Sequence, residues 1–364
     1  MRADATVSED EIVRSPAWLP LEGVGAGALR LVHLDEAAYR EASFLDQRIL
    51  TCGHEQTTCG LAILEAAAAR LAPRSHYIFH TGHVGSTLVS RLIGAHESFF
   101  SLREPALLRT ISTQSPSAPG APSLGVALAL LARTWRANQR AVIKVTSFVS
   151  ELAELILAGE DRPAAIFMFA HPLAYLRGIF AGPNSRAESR QLVPARLQRL
   201  VRRLGHGEWR SDPRSEGEYI AMSWLCEMTA LRQAAARFES QVLWVDFDAF
   251  LGEPASALEA IFRALGERPP AGEIEALVSG PLMRQYSKAP EHAYDAALRR
   301  SLLLSADREH AVEIRHGMEW LGKVATSHPL IQRALNQASS PAATPARSAR
   351  APLSGPSQGS KLRH

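Results

Sequence analysis

The sequence predicts an α/β fold in which a doubly wound, mostly parallel sheet carries a P-loop-like phosphate site and many flanking helices. Three short apolar runs, at 76–81, 141–145 and 164–169, have the pattern of buried strands, and helical patterns separate them. Strands buried on both faces with helices between them are typical of a parallel sheet. A glycine-bearing turn joins the first run to the helix that follows it, and such turns favour phosphate binding.

The chain divides into three predicted parts. Residues 1–75 show helical periodicity around 34–50 and 58–71, which predicts a helical lead-in that packs on the main domain. Residues 76–337 form the predicted α/β domain, because the strand patterns all lie there. Residues 338–364 are rich in Ser, Pro, Ala, Gly and Arg, so they bury too little apolar surface to fold and predict a disordered basic tail.

The second half of the main domain is mostly helical. A fourth strand pattern, at 241–245, interrupts it. The predicted helices of the main domain are 86–94, 125–136, 148–157, 192–204, 218–238, 254–265 and 291–305, with more helix to about residue 336. A loop rich in Pro, Ser and Gly is predicted at 114–123.

Bulk properties exclude several classes of protein. The formal net charge of +3 is too small to indicate a nucleic-acid partner. No apolar stretch approaches the roughly 18 residues that a membrane span needs, and the acidic start at 8–11 is unlike a signal peptide. Cys52, Cys59 and Cys226 fit neither a disulfide framework nor a common zinc spacing. These features predict a soluble cytoplasmic protein with no nucleic-acid partner, no membrane span and no metal.

The strongest motif is the segment 77–88, Tyr-Ile-Phe-His-Thr-Gly-His-Val-Gly-Ser-Thr-Leu, which is strand, turn and helix in turn. Gly82 and Gly85 allow the backbone N–H groups to point into one concavity, next to a helix N-terminus. Ser86 and Thr87 add hydroxyl donors and are predicted to cap the helix. The motif is not a Walker A loop, because it lacks the Gly-Lys-Ser/Thr that reaches the phosphates of a triphosphate.

The motif resembles the 5′-phosphosulfate loop of sulfotransferases that use 3′-phosphoadenosine-5′-phosphosulfate. That family places a basic residue, a small residue, Gly and paired Ser/Thr where this chain has His83 to Thr87. Four later segments resemble the family in the same order, and together the matches span roughly residues 76–295. These segments are Leu-Arg-Glu-Pro at 102–105, Val-Ile-Lys-Val at 142–145, the strand, acid, Pro and helix element at 243–266, and Tyr-Ser-Lys at 286–288.

The resemblance implies a function and a set of site residues. The co-substrate would be 3′-phosphoadenosine-5′-phosphosulfate, no metal would be needed, and a sulfuryl group would pass to a hydroxyl or amine acceptor that the sequence does not identify. Glu104 would accept the proton of the acceptor, Lys144 would stabilise charge on the transferring group, and His83 would contact the bridging oxygen. The remaining implied co-substrate ligands are Gly82, Gly85, Ser86, Thr87, Ser287 and Lys288.

The chain departs from the family where the 3′-phosphate is usually bound. The family has Arg and Ser at the ends of a strand-to-helix element, and the matching positions here are Ala170 and Gly178. Arg177 or His171 is the predicted substitute. One charge-assisted hydrogen bond contributes about 1.5–3 kcal/mol, so the two changes weaken this subsite unless they are replaced.

Two other functions stay open at the level of the sequence. A nucleotide kinase or other ATP-dependent phosphotransferase would use Asp246, at the end of an apolar strand, to hold Mg²⁺, although its loop lysine is missing. A non-catalytic or repurposed nucleotide-binding relative would explain Ala170 and Gly178, although it would not explain Glu104 and Lys144.

Overall fold

The computed structural model describes residues 7–25, 27–113, 122–207, 215–289 and 291–339. Most of the predicted loop at 114–123 and most of the predicted tail at 338–364 lie outside these ranges. The β-strands are β1 (Trp18–Gly23), β2 (Ala28–His33), β3 (Gln56–Gly60), β4 (Ser75–His80), β5 (Phe99–Arg103), β6 (Arg140–Lys144), β7 (Ala165–Phe169) and β8 (Val242–Asp246).

Helices occupy much of the remaining chain. In chain order they are α1 (Glu9–Arg14), α2 (Glu36–Glu41), α3 (Leu61–Ala69), α4 (Ser86–Gly94), α5 (Ala106–Thr113), α6 (Leu124–Leu131), α7 (Ala153–Leu157), α8 (Pro172–Phe180), α9 (Pro183–Gln191), α10 (Val193–Leu204), α11 (Glu216–Arg237), α12 (Phe247–Gly252), α13 (Pro254–Ala264), α14 (Ala271–Ser279), α15 (Ala296–Glu309), α16 (Ala311–Val324) and α17 (Pro329–Ser339). Shorter 3₁₀ segments lie at Gln47–Cys52, Ser147–Leu152, Glu239–Gln241 and Pro281–Arg284.

The main sheet has five strands in the order β5-β6-β4-β7-β8, and every neighbouring pair is parallel. Alternate residues of β4 enter different cores: Tyr77 and Phe79 pack on one face, and Ile78 packs on the other. Helices cover both faces, so the predicted α/β class with a doubly wound parallel sheet is confirmed. The carboxyl ends of the five strands lie along one edge, where open α/β sheets bind ligands.

Residues 1–75, predicted as a helical lead-in, are not helical throughout. The region holds a three-stranded antiparallel sheet in the order β1-β2-β3 as well as helices. β2 and β3 alternate buried residues with more exposed ones over only five or six positions, as in β3, where Thr57 and Cys59 are buried, whereas β1 is buried over its first four residues. Strand patterns this short are hard to recognise in the sequence next to the longer helical periodicity around them.

The main-domain prediction also missed β5. Its sequence, Phe-Phe-Ser-Leu-Arg, is fully buried and ends in a charged residue that a buried strand rarely carries. The Arg103 guanidinium is satisfied by the carbonyl oxygens of Tyr39, Arg40 and Ala42, which lie about sixty residues earlier in the chain.

The C-terminal boundary differs slightly from its prediction. Helix α17 includes Ala338 and Ser339, the first two residues of the predicted tail, because Ala338 packs into a core of neighbouring helices. Within the described part of the chain, no helix combines the length and the apolar character needed to cross a bilayer.

Candidate functional site

The turn between β4 and α4, residues 80–87, leaves the central strand of the sheet with an unusual backbone. Gly82, His83 and Gly85 have φ values of 98°, 55° and 62°. A turn with successive left-handed residues directs its backbone N–H groups into one concavity, which suits an anion. His83 is not a glycine, so its positive φ is a local strain of the kind that persists at ligand sites.

Close packing explains why Gly85 is a glycine. A Cβ atom at this position would overlap the ring of Phe247, the first residue of α12. Gly85 also occupies the N-cap position of α4, and the helix has no side-chain cap. The predicted capping by Ser86 and Thr87 is therefore wrong, because the helix begins at Ser86. Its first N–H groups are left facing the concavity.

His80 fixes the start of the turn. Its Nδ1 accepts a hydrogen bond from the Gly82 N–H at 3.0 Å, and its Nε2 lies 2.8 Å from the carbonyl oxygen of Val145, just after β6. Nδ1 must be unprotonated to accept, so Nε2 carries the proton and donates. Burial, and then the positive charges of Lys144 and Lys288, lower the pKa of His80 well below its usual value. A neutral imidazole thus joins β4, the turn and β6.

Thr87 supplies a direct sign that a polar ligand fits here. Its side chain is buried, and its Oγ1 has no hydrogen-bond partner among the described residues. Buried hydroxyls are almost always paired, so an unpaired one in the wall of a pocket indicates a missing partner. Thr87 and Ser86 both line the pocket described next. The donor set of N–H groups and hydroxyls matches a phosphate group.

A pocket of about 400 Å³ opens beside the turn. One wall is the turn itself, a second is the α8–α9 junction with Gly178, Gly182 and Ser185, and a third comes from α12 and the segment 283–303. The volume is in the usual range for a small-molecule site. Apolar and aromatic side chains form much of the remaining lining, among them Leu251, Met283, Tyr286, Tyr294, Leu298 and Leu302. The pocket therefore suits a ligand that has an anionic group and an apolar or aromatic part.

Two cations, Arg299 and Lys288, line this pocket. The Arg299 Nη1 donates to Asp248 Oδ1 at 2.5 Å, so its charge is partly compensated. Lys288 has no carboxylate partner among the described residues, and its Nζ lies 5.7 Å from the centre of the Phe44 ring. Antiparallel pairing of Gln285 with Ala293 forms the narrow hairpin that carries Ser287 and Lys288. The pocket thus keeps one uncompensated positive charge near the turn.

His83 is neutral in this environment. Burial is the main cause, and the ammonium groups of Lys288 and Lys144 add to it, so the pKa of His83 falls to about 3. These surroundings therefore favour His83 as a neutral hydrogen-bond donor over a protonated imidazolium.

Glu104 and Lys144 form an ion pair at the ends of adjacent strands. Lys144 is fully buried at the end of β6, and its Nζ donates to Glu104 Oε1. Glu104 has a φ of 52°, and its N–H donates to the Lys144 carbonyl oxygen at 2.6 Å. Burial lowers the pKa of Lys144 to about 8, although the Glu104 carboxylate opposes the shift. The pair lies beside the pocket and does not line it.

Arg177 does not line the pocket, although the sequence analysis predicted it as a phosphate ligand. Its Nε donates to Asp307 Oδ1 of α15 at 2.9 Å, and the neighbouring Gly178 forms the pocket wall instead. His171 is the N-cap of α8, and Ala170 is buried in the core of the sheet.

Asp246 is a helix cap. Its Oδ1 accepts a hydrogen bond from the Ala249 N–H at 2.9 Å at the start of α12. Across the described ranges, no three His, Cys, Asp or Glu side chains are grouped in a way that would hold a metal ion.

Several residues of the pocket were not predicted from the sequence. Arg299, Phe247 and the apolar side chains of 283–303 reach the pocket only through the tertiary fold, and they carry no local motif. The hydrogen bonds of His80 could have been suspected, because this histidine follows the apolar residues Tyr77, Ile78 and Phe79 at the end of a buried strand.

No protein-family model matches the chain, and no curated protein matches it. Solved structures do match. The sulfotransferase domain from the curacin biosynthetic pathway is 16% identical and covers 71% of this chain and 100% of that domain, with a TM-score of 0.38. The sulfotransferase domain from the Synechococcus PCC 7002 olefin synthase is 14% identical. It covers 69% of this chain and 96% of that domain, with a TM-score of 0.37.

A third match is mouse sulfotransferase SULT7A1 complexed with PAP. It is 11% identical and covers 73% of this chain and 89% of that chain, with a TM-score of 0.39. All three of these solved structures are sulfotransferases or sulfotransferase domains.

Proposed function

We propose that the chain is a sulfotransferase-like enzyme that transfers a sulfuryl group from 3′-phosphoadenosine-5′-phosphosulfate to a hydroxyl or amine acceptor. The observation that carries the proposal is the turn at 80–87, where the left-handed backbone and the unpaired Thr87 hydroxyl suit an anion. The buried Lys144–Glu104 pair at the next two strand ends adds groups that can stabilise charge and take a proton. No metal enters the proposal.

The turn and the hairpin around residue 288 would hold the co-substrate. The backbone N–H groups from His83 to Gly85 and the hydroxyls of Ser86 and Thr87 would bind the 5′-phosphate. Gly82, a predicted ligand, instead donates its N–H to His80 Nδ1. Ser287 and Lys288 would close over the phosphates from the other side of the pocket. Arg177 stays a proposed contributor only if it leaves Asp307 when ligand binds.

Chemistry would take place at the end of β6. Bound 3′-phosphoadenosine-5′-phosphosulfate would supply the sulfuryl group. Lys144 would stabilise negative charge on that group, and neutral His83 would donate a hydrogen bond to the bridging oxygen. Glu104 would accept the proton of the attacking acceptor, after releasing its hydrogen bond from Lys144. Positioning and charge stabilisation would do most of the catalysis.

A non-catalytic nucleotide-binding relative is the second candidate. The observation that favours it is the α8 region, where Ala170 is buried in the core and Gly178 offers the pocket no side-chain donor. An ATP-dependent phosphotransferase has less support, because the turn has no lysine and Asp246 caps a helix.

Calorimetric titration separates these functions. We expect the wild-type chain to bind 3′-phosphoadenosine-5′-phosphate without metal, and Thr87→Val to bind it about tenfold more weakly, as expected for one lost hydrogen bond to a charged group. Tighter binding of ATP that requires Mg²⁺ would replace the proposal with a phosphotransferase. Binding of 3′-phosphoadenosine-5′-phosphate without sulfuryl transfer to any of a panel of phenols, alcohols and amines would favour the non-catalytic relative.

A further inference from the structure

Arg91 joins three parts of the molecule next to the proposed phosphate site. It lies on α4, one helical turn after Thr87. Its Nε donates to the Ser287 carbonyl oxygen at 3.0 Å. Its Nη1 and Nη2 donate to the carbonyl oxygens of Arg40 and Glu41 at 3.2 and 3.0 Å, and Nη2 also donates to Ser43 Oγ at 2.9 Å.

All of these partners are neutral oxygens, and no carboxylate of the described residues pairs with Arg91. The guanidinium is planar and rigid, so it fixes the directions of its hydrogen bonds. The Ser287 carbonyl and the segment 40–43 are therefore held in a defined position relative to α4. Because α4 begins at the anion-binding turn, this position is also defined relative to that turn.

Lys288 is the residue that this arrangement places. It follows Ser287 directly, lines the pocket and has no carboxylate partner among the described residues. The Phe44 ring, 5.7 Å from its ammonium group, belongs to the segment that Arg91 also binds. The main chain of Lys288 is thus fixed through Ser287. Its ammonium group lies near the ring of Phe44, which directly follows Ser43 and on which the Arg48 guanidinium also stacks at 3.4 Å. Without Arg91, the hairpin has one less connection to the turn.

We propose that Arg91 is a positioning residue that holds Lys288 over the phosphate-binding turn, and that the segment 40–44 is thereby part of the site. The proposal rests on the proposed phosphate site. It gives the N-terminal region a role that its own motifs do not reveal, since none of its residues would touch the phosphate.

A double-mutant cycle tests this role. The Kd of 3′-phosphoadenosine-5′-phosphate is measured calorimetrically for the wild type, Arg91→Met, Lys288→Met and the double variant. We expect each single variant to bind about tenfold more weakly, the loss expected for one charge-assisted hydrogen bond. In the Lys288→Met background, Arg91→Met should have almost no further effect, because the group that it positions is absent.

Arg136→Met is the matched control. Arg136 donates to Glu36 of α2, so its loss loosens the same N-terminal region without touching Ser287, and we expect the Kd to stay unchanged. Phe44→Leu provides a second variant that keeps Arg91 intact. It should weaken binding in the wild type and not in Lys288→Met. Thermal unfolding of each variant shows that it is folded.

The outcomes are distinct. If Arg91→Met weakens binding by the same factor in both backgrounds, or in neither, Arg91 does not act through Lys288 and the inference is overturned. The inference is also overturned if Lys288→Met binds 3′-phosphoadenosine-5′-phosphate as tightly as the wild type does. In that case the proposed function is not contradicted. If the wild type does not bind the nucleotide, the proposed function fails, and the inference fails with it.

Discussion

At the scale of single residues, the candidate site depends on residues that their buried neighbours hold in place. Gly85 is the clearest case, because the Phe247 ring occupies the space of a side chain and the backbone is left-handed. The Lys144–Glu104 pair is a second case, since a buried ammonium needs a partner. A substitution that disturbs either arrangement should change the free energy of unfolding by a measurable amount.

Gly85→Ala should destabilise the protein more than an alanine at a comparable open position. Gly53 is the matched control: its φ of 76° and ψ of 12° resemble those of Gly85, and a Cβ there would have open space around it. Gly53→Ala should cost about 1 kcal/mol for the left-handed backbone alone, and Gly85→Ala about 1–3 kcal/mol more for the overlap with Phe247. Urea unfolding measures both values. Equal losses would show that Phe247 moves aside without cost.

The Lys144 pKa predicts a dependence of stability on pH. The folded pKa is about 8 and the ordinary value is 10.5, so between these limits the unfolded chain binds the proton and the folded chain does not. The free energy of unfolding should therefore gain a rising contribution from pH 8 upward. Tyr39, Tyr77 and Tyr175 have raised pKa values and oppose the rise above about pH 10.

The useful comparison is between variants at pH 7.5, 8.5 and 9.5. In Lys144→Met the free energy of unfolding should rise less with pH than in the wild type, because the titrating group is gone. In Glu104→Gln the rise in the free energy of unfolding should begin at a lower pH, because the carboxylate that raises the pKa of Lys144 is lost. Parallel curves for the wild type and Lys144→Met would mean that Lys144 keeps its ordinary pKa.

At the scale of elements, the site is built where strand ends are tied together. His80 links β4 to the end of β6 through Val145 and to the turn through Gly82. Gln can reach one of these partners, whereas Leu leaves both the Gly82 N–H and the Val145 carbonyl unpaired. We expect His80→Leu to lose about 1–3 kcal/mol more stability than His80→Gln, the cost of leaving buried polar groups unpaired. Denaturant unfolding at pH 7.5 measures the difference.

The same histidine contributes to acid sensitivity. The pKa of His80 in the folded protein lies well below 6.5. Below pH 6.5 the unfolded chain therefore binds a proton at this residue that the folded chain does not bind. Stability should fall as the pH decreases from 6.5, and His80→Gln should show a shallower fall. His76 and His83, whose pKa values are lowered to about 4 and about 3, keep part of the slope in that variant. An unchanged slope would contradict this account of His80.

Elements were predictable from sequence where their burial is uniform. The strands β4, β6 and β7 are apolar runs buried on both faces, and a run of that kind is visible in isolation. β5 was not predicted because it ends in Arg103, whose charge is satisfied by carbonyl oxygens of a distant segment. β1 to β3 were not predicted because each has only five or six residues. The turn at 80–87 was predictable because its chemistry is contiguous. The far wall of the pocket was predictable only in part. Ser287 and Lys288 were implied by a family resemblance, whereas Arg299 has no local motif and reaches the pocket from a distant part of the chain.

At the scale of the whole molecule, the N-terminal region and the main sheet share one core. Leu19, Leu21 and Leu31 of the antiparallel sheet belong to the same buried cluster as Tyr77 and Phe79 of β4. The Arg133 guanidinium adds polar connections, since it donates to the carbonyl oxygens of Ile12, Ser15 and Trp18. The predicted boundary at residue 75 therefore separates two stretches of sequence that bury each other.

This shared core predicts that a chain beginning at residue 75 does not fold cooperatively. Removing 1–74 would expose the face of the main sheet that carries Tyr77 and Phe79, and it would leave Arg103 and Arg133 without their carbonyl partners. We expect loss of the near-ultraviolet circular dichroism and of a sharp thermal transition, while a chain ending at residue 339 serves as the control for truncation and keeps both. Supplying residues 1–74 as a separate chain during refolding should restore the transition. A cooperative unfolding transition in the fragment alone would show that the main sheet is an independent domain, and the N-terminal region would then be an accessory to the site and not a part of the fold.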